Sequence, residues 1–162
     1  MILVALGSNM RAGKRESPDA VRAALKALET LAEVEATSRL YRSPAWPDPT
    51  DPPFTNAVAR LGRAPSPEAL LAGLHGIEAS FGRSRSRANA PRPLDLDLID
   101  YRGMRRAPDD RSGLELPHPR CAERDFVLAP ILDVAPDWRH PTLGRSAAEL
   151  LAMLKHRSAV PM

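Results

Sequence analysis

Aromatic side chains are scarce in this sequence: two tryptophans, two tyrosines and three phenylalanines, 4% of 162 residues. A surface that stacks unpaired bases on sheet aromatics is poorly served by that composition, so a nucleic-acid partner is not expected. Cysteine is nearly absent. Cys121 stands alone, which excludes an intrachain disulfide, and it reads as a small filler side chain. No apolar run approaches the roughly 18 residues that span a bilayer. Met1-Ile2-Leu3-Val4-Ala5-Leu6 is too short for a signal peptide and lacks a basic start. A cytoplasmic location without a membrane partner is therefore expected. There is no low-complexity tract and no internal repeat. The phosphate loop Gly-x-x-x-x-Gly-Lys-Ser/Thr is missing, as is the protein-kinase glycine-rich loop with its His-Arg-Asp. The common scaffolds of γ-phosphate transfer are thereby excluded.

Proline, by contrast, is plentiful. Seventeen are present, clustered in Pro44 to Pro53 and Pro91 to Pro93 and scattered through the last third. They imply long, stiffened loops. Hydrophobic content is 43%, and the length suits one domain with a full core over residues 1–162. The net charge of +3 permits anionic partners without choosing among them.

Along the chain, Ile2 to Leu6 reads as a buried strand closed by the turn residues Gly7-Ser8-Asn9. Ser17-Pro18 is a helix start, with a hydroxyl N-cap and proline at the first helical position. Val21, Leu25, Leu28 and Leu31 follow at helical spacing. Glu33 to Arg42 alternates as one strand. Pro44 to Pro53 is a loop, and Phe54 to Leu61 a third strand antiparallel to the second. Ser66-Pro67 repeats the helix start, with Leu70, Leu74, Ile77 and Phe81 as a stripe and Gly82 as the stop. A strand follows at Leu94. The order β-α-β-β-α-β is the ferredoxin-like one, so an α+β fold with an antiparallel sheet is expected. Helices at Phe126 to Val134 and about Ser146 to Leu154 read as an extension packed on the same core.

The chemistry concentrates in Leu94-Asp95-Leu96-Asp97-Leu98. Period-2 alternation points the leucines into a core and puts Asp95 and Asp97 on the opposite face, roughly 6.6 Å apart. Like charges at that spacing disfavour a strand unless a cation lies over them. Mg²⁺ takes one or two carboxylates and completes its shell with water and phosphate oxygens. Arg83, Arg85, Arg87 and Arg92 lie beside the pair, so phosphoryl-group chemistry is indicated. The competing reading is a solvated acidic face neutralised by those arginines. Asp100 breaks the alternation and is assigned to a strand end or a bulge, not to the ligand set. A nucleotidyltransferase also pairs Gly-Ser with Asp-x-Asp, but there the motifs are close in sequence. Here Gly7-Ser8 lies far upstream of Asp95.

Several stretches together resemble the 6-hydroxymethyl-7,8-dihydropterin pyrophosphokinase family, in the family's order. They are Ala5-Leu6-Gly7-Ser8-Asn9, Tyr41-Arg42-Ser43-Pro44, Phe54-Thr55-Asn56-Ala57-Val58 and Glu78 before Phe81-Gly82-Arg83-x-Arg85. Pro91-Arg92-Pro93-Leu94-Asp95-Leu96-Asp97, Leu116-Pro117-His118-Pro119 and Arg124-x-Phe126-Val127-Leu128 follow. The resemblance implies pyrophosphoryl transfer from ATP, as co-substrate, to the hydroxymethyl pterin with release of AMP, in folate biosynthesis. It implies two Mg²⁺ ions on Asp95 and Asp97, with Arg83 and Arg92 as phosphate clamps and catalytic residues. His75, Glu78, Arg85, Arg92, His118 and Arg124 are similar to the ATP-contacting positions. Phe54 and Phe126 resemble the stacking pair for the pterin, Asn56 and Ser43 its edge readers, and Pro44 to Trp46 the adjoining wall. A monomer is expected. The stretch Arg87-Ala88-Asn89-Ala90 departs from the family, which often carries a tryptophan or basic residues there. Ser43 stands where threonine is common.

Overall fold

The computed structural model describes residues 1–10, 12–46, 48–82, 93–108 and 111–162. Its sheet is built on β1 (Ile2–Ser8), which is buried along nearly its whole length. On one side β1 pairs with β5 (Asp95–Tyr101), and on the other with β4 (Phe54–Leu61). β4 carries both β2 (Val34–Thr37) and β3 (Tyr41–Ser43), and β6 (Val160–Pro161) adds to β3. Every pairing is antiparallel, and the path runs β5-β1-β4-β3-β6 with β2 also on β4. With α1 (Ser17–Leu28) between β1 and β2 and α2 (Pro67–Ser80) between β4 and β5, this is the expected ferredoxin-like order.

The two faces of the sheet bury different things. Ile2, Val4, Leu6, Ala57, Ala59, Leu61, Leu94, Leu96 and Leu98 point toward α1 and α2. Leu3, Ala5, Val58 and Ile99 point the other way, toward α3 (Asp125–Val134) and α4 (Ala147–Met153). The last third therefore does not extend the first core, as the sequence suggested. It builds a second one on the opposite face, because strand alternation gives each strand two apolar sides. Ser146 caps α4 in a reciprocal box with Glu149.

Three local expectations change. β1 runs on through Gly7 and Ser8, which stay paired with Asn56 and Thr55. Ser17 is not the N-cap of α1; that position is Glu16, and the Ser17 hydroxyl instead donates to the Ser8 carbonyl at the end of β1. The Glu33–Arg42 strand is two strands. At the break, Ser38 N donates to Val58 O, and Ser38 Oγ accepts from Val58 N at 2.9 Å, standing in for a ladder carbonyl. At the helix stop, Gly82 follows α2 with φ +84°, as a closing glycine should.

Beyond the break, α3 is tied to β3. Asp133 accepts from Arg39 Nε (3.1 Å), Arg39 Nη2 (2.8 Å) and the Tyr41 hydroxyl. Partial burial pulls the Asp133 carboxyl up, but these hydrogen bonds prevail and hold it below its usual value. A lowered folded-state pKa means stability present above the unfolded value, roughly 3.9, and lost as pH falls through the folded one. Asp133→Asn is thus expected to unfold at a lower temperature than wild type at pH 7, with the gap closing as pH drops below about 4. Thermal unfolding across that range checks it; a gap independent of pH would contradict the assignment.

Candidate active site

Register places the acidic pair. Asp97 lies opposite Ala5 and Asp95 opposite Gly7, and Gly7 in turn lies opposite Asn56. Tyr41 is opposite Asn56, and Ser43 opposite Phe54. One end of the sheet face that α3 covers is thus paved with Asp95, Asp97, Asn56, Ser43 and Phe54. Small residues keep the floor low between them. A Cβ on Gly7 would sit 3.4 Å from Asn56 Oδ1 and 3.7 Å from the Phe54 ring.

Over this floor opens a cavity of about 410 Å³. Its lining includes Ser43, Pro44, Trp46, Phe54, Asn56, Asp95, Asp97, Arg124 and Phe126, nine of the residues singled out from sequence. Arg120 and Glu123 line it too, and sequence reasoning missed both. Arg120 precedes and Glu123 ends a 3₁₀ turn, Cys121–Glu123, whose only sequence signal is the prolines before it. Trp46 is 72% exposed at the rim.

The cavity has a charged end and an apolar end. At the charged end, Arg124 Nη1 donates to Asp97 Oδ2 at 3.3 Å, and His118 Nε2 lies 3.7 Å from the same oxygen. Burial lowers the His118 pKa, and Arg124 and Arg120 push the same way against the pull of Asp97. The imidazole is therefore neutral at pH 7, with Nδ1 accepting from Arg120 N at 3.2 Å. The Arg124 guanidinium also lies 5.6 Å from the Phe126 ring centroid, so it bridges the two ends. The apolar end is lined by Phe54, Phe126 and a buried polar pair in which Asn56 Nδ2 donates to Ser43 Oγ at 2.9 Å.

Other named residues fall elsewhere. Glu78 is 3% exposed on α2, and its Oε1 accepts from Leu96 N at 2.8 Å. β5 is an edge strand, so that bond satisfies the free backbone donor between the two aspartates. His75, one turn earlier, is half-buried and outside the cavity lining. Arg83, Arg85 and Arg92, and the stretch 87–90, lie outside the described residues. Asp100 sits at a β-bulge where the register slips between Leu3 and Val4, so the bulge and not a strand end breaks the alternation. Its carboxylate accepts from Trp138 Nε1 (2.7 Å) and Gly103 N (2.8 Å). Cys121 is buried, which pushes its thiol up to about 12 and leaves it no nucleophilic role at neutral pH.

Asp95 and Asp97 offer oxygen donors only, the chemistry of a hard divalent cation. Among the described residues no group of three or more His, Cys, Asp or Glu could hold a metal ion. Phosphate oxygens and water would have to complete any shell, which is how Mg²⁺ is usually held.

The site thus sets a carboxylate pair and two phenylalanines in one cavity on the open antiparallel sheet of a small α+β, ferredoxin-like protein. The sequence model of the 7,8-dihydro-6-hydroxymethylpterin-pyrophosphokinase family matches residues 3–136, and the chain belongs to that family. It is 40% identical over 153 residues to a 2-amino-4-hydroxy-6-hydroxymethyldihydropteridine pyrophosphokinase of Pseudomonas aeruginosa, covering 93% of this chain and 90% of that one. A protein of the same name from Synechocystis is 39% identical over 130 residues, 80% of this chain and 65% of the relative. A folic acid synthesis protein of Dictyostelium discoideum is 34% identical over 88% of this chain, which spans only 21% of that relative. The fold matches the crystal structure of a Plasmodium falciparum HPPK-DHPS triple mutant with STZ-DHP. The TM-score there is 0.73 at 13% identity, over 93% of this chain and 42% of that one. Among the described residues no helix is long and apolar enough to cross a membrane.

The buried Asp100 and the half-buried Asp95 should separate in the ligand-free protein. Asp100→Asn must set its amide N–H₂ against a donor and is expected to cost about 1–3 kcal/mol. Asp95→Asn, which relieves repulsion, should stay within roughly 0.5 kcal/mol of wild type. Chemical denaturation reads both; equal losses would make Asp95 a structural residue.

Proposed function

We propose that this chain transfers a pyrophosphoryl group from ATP to the hydroxymethyl oxygen of 6-hydroxymethyl-7,8-dihydropterin, releasing AMP, with residues 1–162 acting as one domain. The observation that carries the reading is the shared cavity: Asp95 and Asp97 at one end, Phe54, Phe126, Asn56 and Ser43 at the other. A flat heterocycle stacks between two rings and is read at its edge by an amide and a hydroxyl. Phe54 and Phe126 supply the faces, with Pro44 and Trp46 as the adjoining wall. Asn56 and Ser43, already locked to each other, supply the edge.

Such a pose aims the hydroxymethyl group at the charged end. The hydroxyl oxygen attacks the β-phosphorus and gives up its proton to solvent, the bond from that phosphorus to the α,β-bridging oxygen breaks, and the bridging oxygen leaves on AMP. Little covalent work falls to the protein, so positioning and charge neutralisation carry catalysis. Asp95 and Asp97 would hold two Mg²⁺ ions, which supply charge neutralisation along the triphosphate. Arg124 keeps Asp97 oriented before substrate arrives and faces the phosphates afterwards. Arg83 and Arg92 are assigned as phosphate clamps, and Arg85, His118, Glu78 and His75 to the ATP side, by family likeness. Glu78 acts there through the β5 backbone between the two aspartates. The membership in a pyrophosphokinase family supports attack at the β- rather than the γ-phosphorus.

Incubating the protein with ATP, Mg²⁺ and the hydroxymethyl dihydropterin, then separating nucleotides, tests this directly. AMP is expected in amounts equal to the pterin pyrophosphate and dependent on the pterin. Stoichiometric ADP would sink the assignment. Asp95→Ala and Asp97→Ala should each abolish turnover while remaining folded. Arg92→Ala should lower kcat by roughly 10²- to 10³-fold, the usual loss of one charge-stabilising donor.

A further inference from the structure

α3 begins with three consecutive residues of unlike kinds. Arg124 and Phe126 line the cavity, and Asp125 between them turns away from it. Asp125 is only 7% exposed, and a buried carboxylate is costly unless it is fully used. It is used by a segment more than thirty residues later. Its Oδ2 accepts from Ser158 N, from Ala159 N at 2.8 Å and from Ser158 Oγ at 3.4 Å. The next residues form β6, with Val160 opposite Arg42 and Pro161 opposite Tyr41, and Met162 N donates to Leu40 O at 2.9 Å.

The segment 158–162 is thus bonded at one end to the start of α3 and at the other to β3. Those are the two walls of the apolar end of the cavity: Phe126 stands on the first and Ser43 on the second. At its far end α3 reaches β3 directly, through Asp133 with Arg39 and Tyr41. At the cavity end the polar link runs through the segment. Val127, Leu128 and Ile131 hold the helix down on the sheet, but apolar packing is non-directional. Hydrogen bonds from two successive backbone N–H groups to one carboxylate oxygen are directional.

We propose that Asp125 is a positioning residue, and that it and the segment 158–162 form a strap that sets the spacing between Phe126 and the Ser43–Asn56 pair. The strap serves the heterocycle end of the cavity and not the phosphate end, and in this it rests on the function proposed above. Loosening it leaves the phosphate end in place, because Asp95 and Asp97 are held on β5 by β1 and by Glu78, and Arg124 keeps its own bond to Asp97.

The test compares Asp125→Ala, Asp125→Asn and Ser158→Pro, the last of which deletes two strap donors, the Ser158 N–H and hydroxyl, without touching the cavity. Calorimetric titration with 6-hydroxymethylpterin, beside a non-hydrolysable ATP analogue and well below each unfolding temperature, gives the two affinities. Asp125→Ala and Ser158→Pro should weaken pterin binding by about tenfold, within what a misplacement of an ångström or less costs. Nucleotide affinity should change by less than about twofold, and Asp125→Asn, which keeps an acceptor oxygen, should recover most of the loss. Unchanged pterin affinity with a lowered unfolding temperature would overturn the strap, as would equal weakening of both ligands. Should wild type bind no pterin, the functional reading falls, and hydrogen exchange on the ligand-free protein still decides the strap. Asp125→Ala should speed exchange at residues 41–43 and 126–128 together; acceleration confined to 158–162 would refute it.

Discussion

Two antiparallel registers, β5 against β1 and β1 against β4, carry the rest of the site. They set Asp97 beside Ala5, Asp95 beside Gly7, and Gly7 beside Asn56, so that acid, gap and amide fall in one row across three strands. Slipping β5 by one residue against β1 would turn the aspartates into the leucine core and the leucines into the cavity. The core prevents this: Leu94, Leu96 and Leu98 are all buried against α1 and α2. Burial on one face thus fixes the chemistry on the other, and two like charges are held side by side although their repulsion opposes it.

The second core completes the arrangement from above. α3 lies across the other face of the sheet but stops short of its acidic end, and the uncovered stretch is the cavity. Arg124, at the N-cap of α3, then reaches Asp97 on one side and the Phe126 ring on the other. The same helix is fastened to β3 by Asp133, so the wall carrying Phe126 and the wall carrying Ser43 are parts of one braced unit.

Much of this is legible in the amino-acid order, for identifiable reasons. The alternation of Leu94 to Leu98 is strictly period 2 and one face is fully buried, so pattern and structure agree residue by residue. Ser66-Pro67 is a helix start because Ser66 does accept from Ala69 N. Ser17-Pro18 looks the same but is not, because its hydroxyl is taken by the Ser8 carbonyl, a tertiary partner that local sequence does not announce. The Ser38 break is hidden likewise: a hydroxyl replaces a backbone acceptor without disturbing the alternation. Arg120 and Glu123 escaped notice because they reach the cavity from a turn, not from a periodic element. Sequence likeness points Glu78 at the nucleotide, and its bond to Leu96 N adds a backbone role between the aspartates that no spacing rule reveals.

On the function proposed above, Asp95 and Asp97 are held together in order to bind metal with nucleotide. The most direct measurement is a Mn²⁺ titration followed by electron paramagnetic resonance, with a non-hydrolysable ATP analogue present. Wild type is expected to bind two ions per chain under those conditions, and Asp95→Asn and Asp97→Asn fewer or far more weakly. Identical stoichiometry and affinity in wild type and both variants would mean that the pair does not hold the metal.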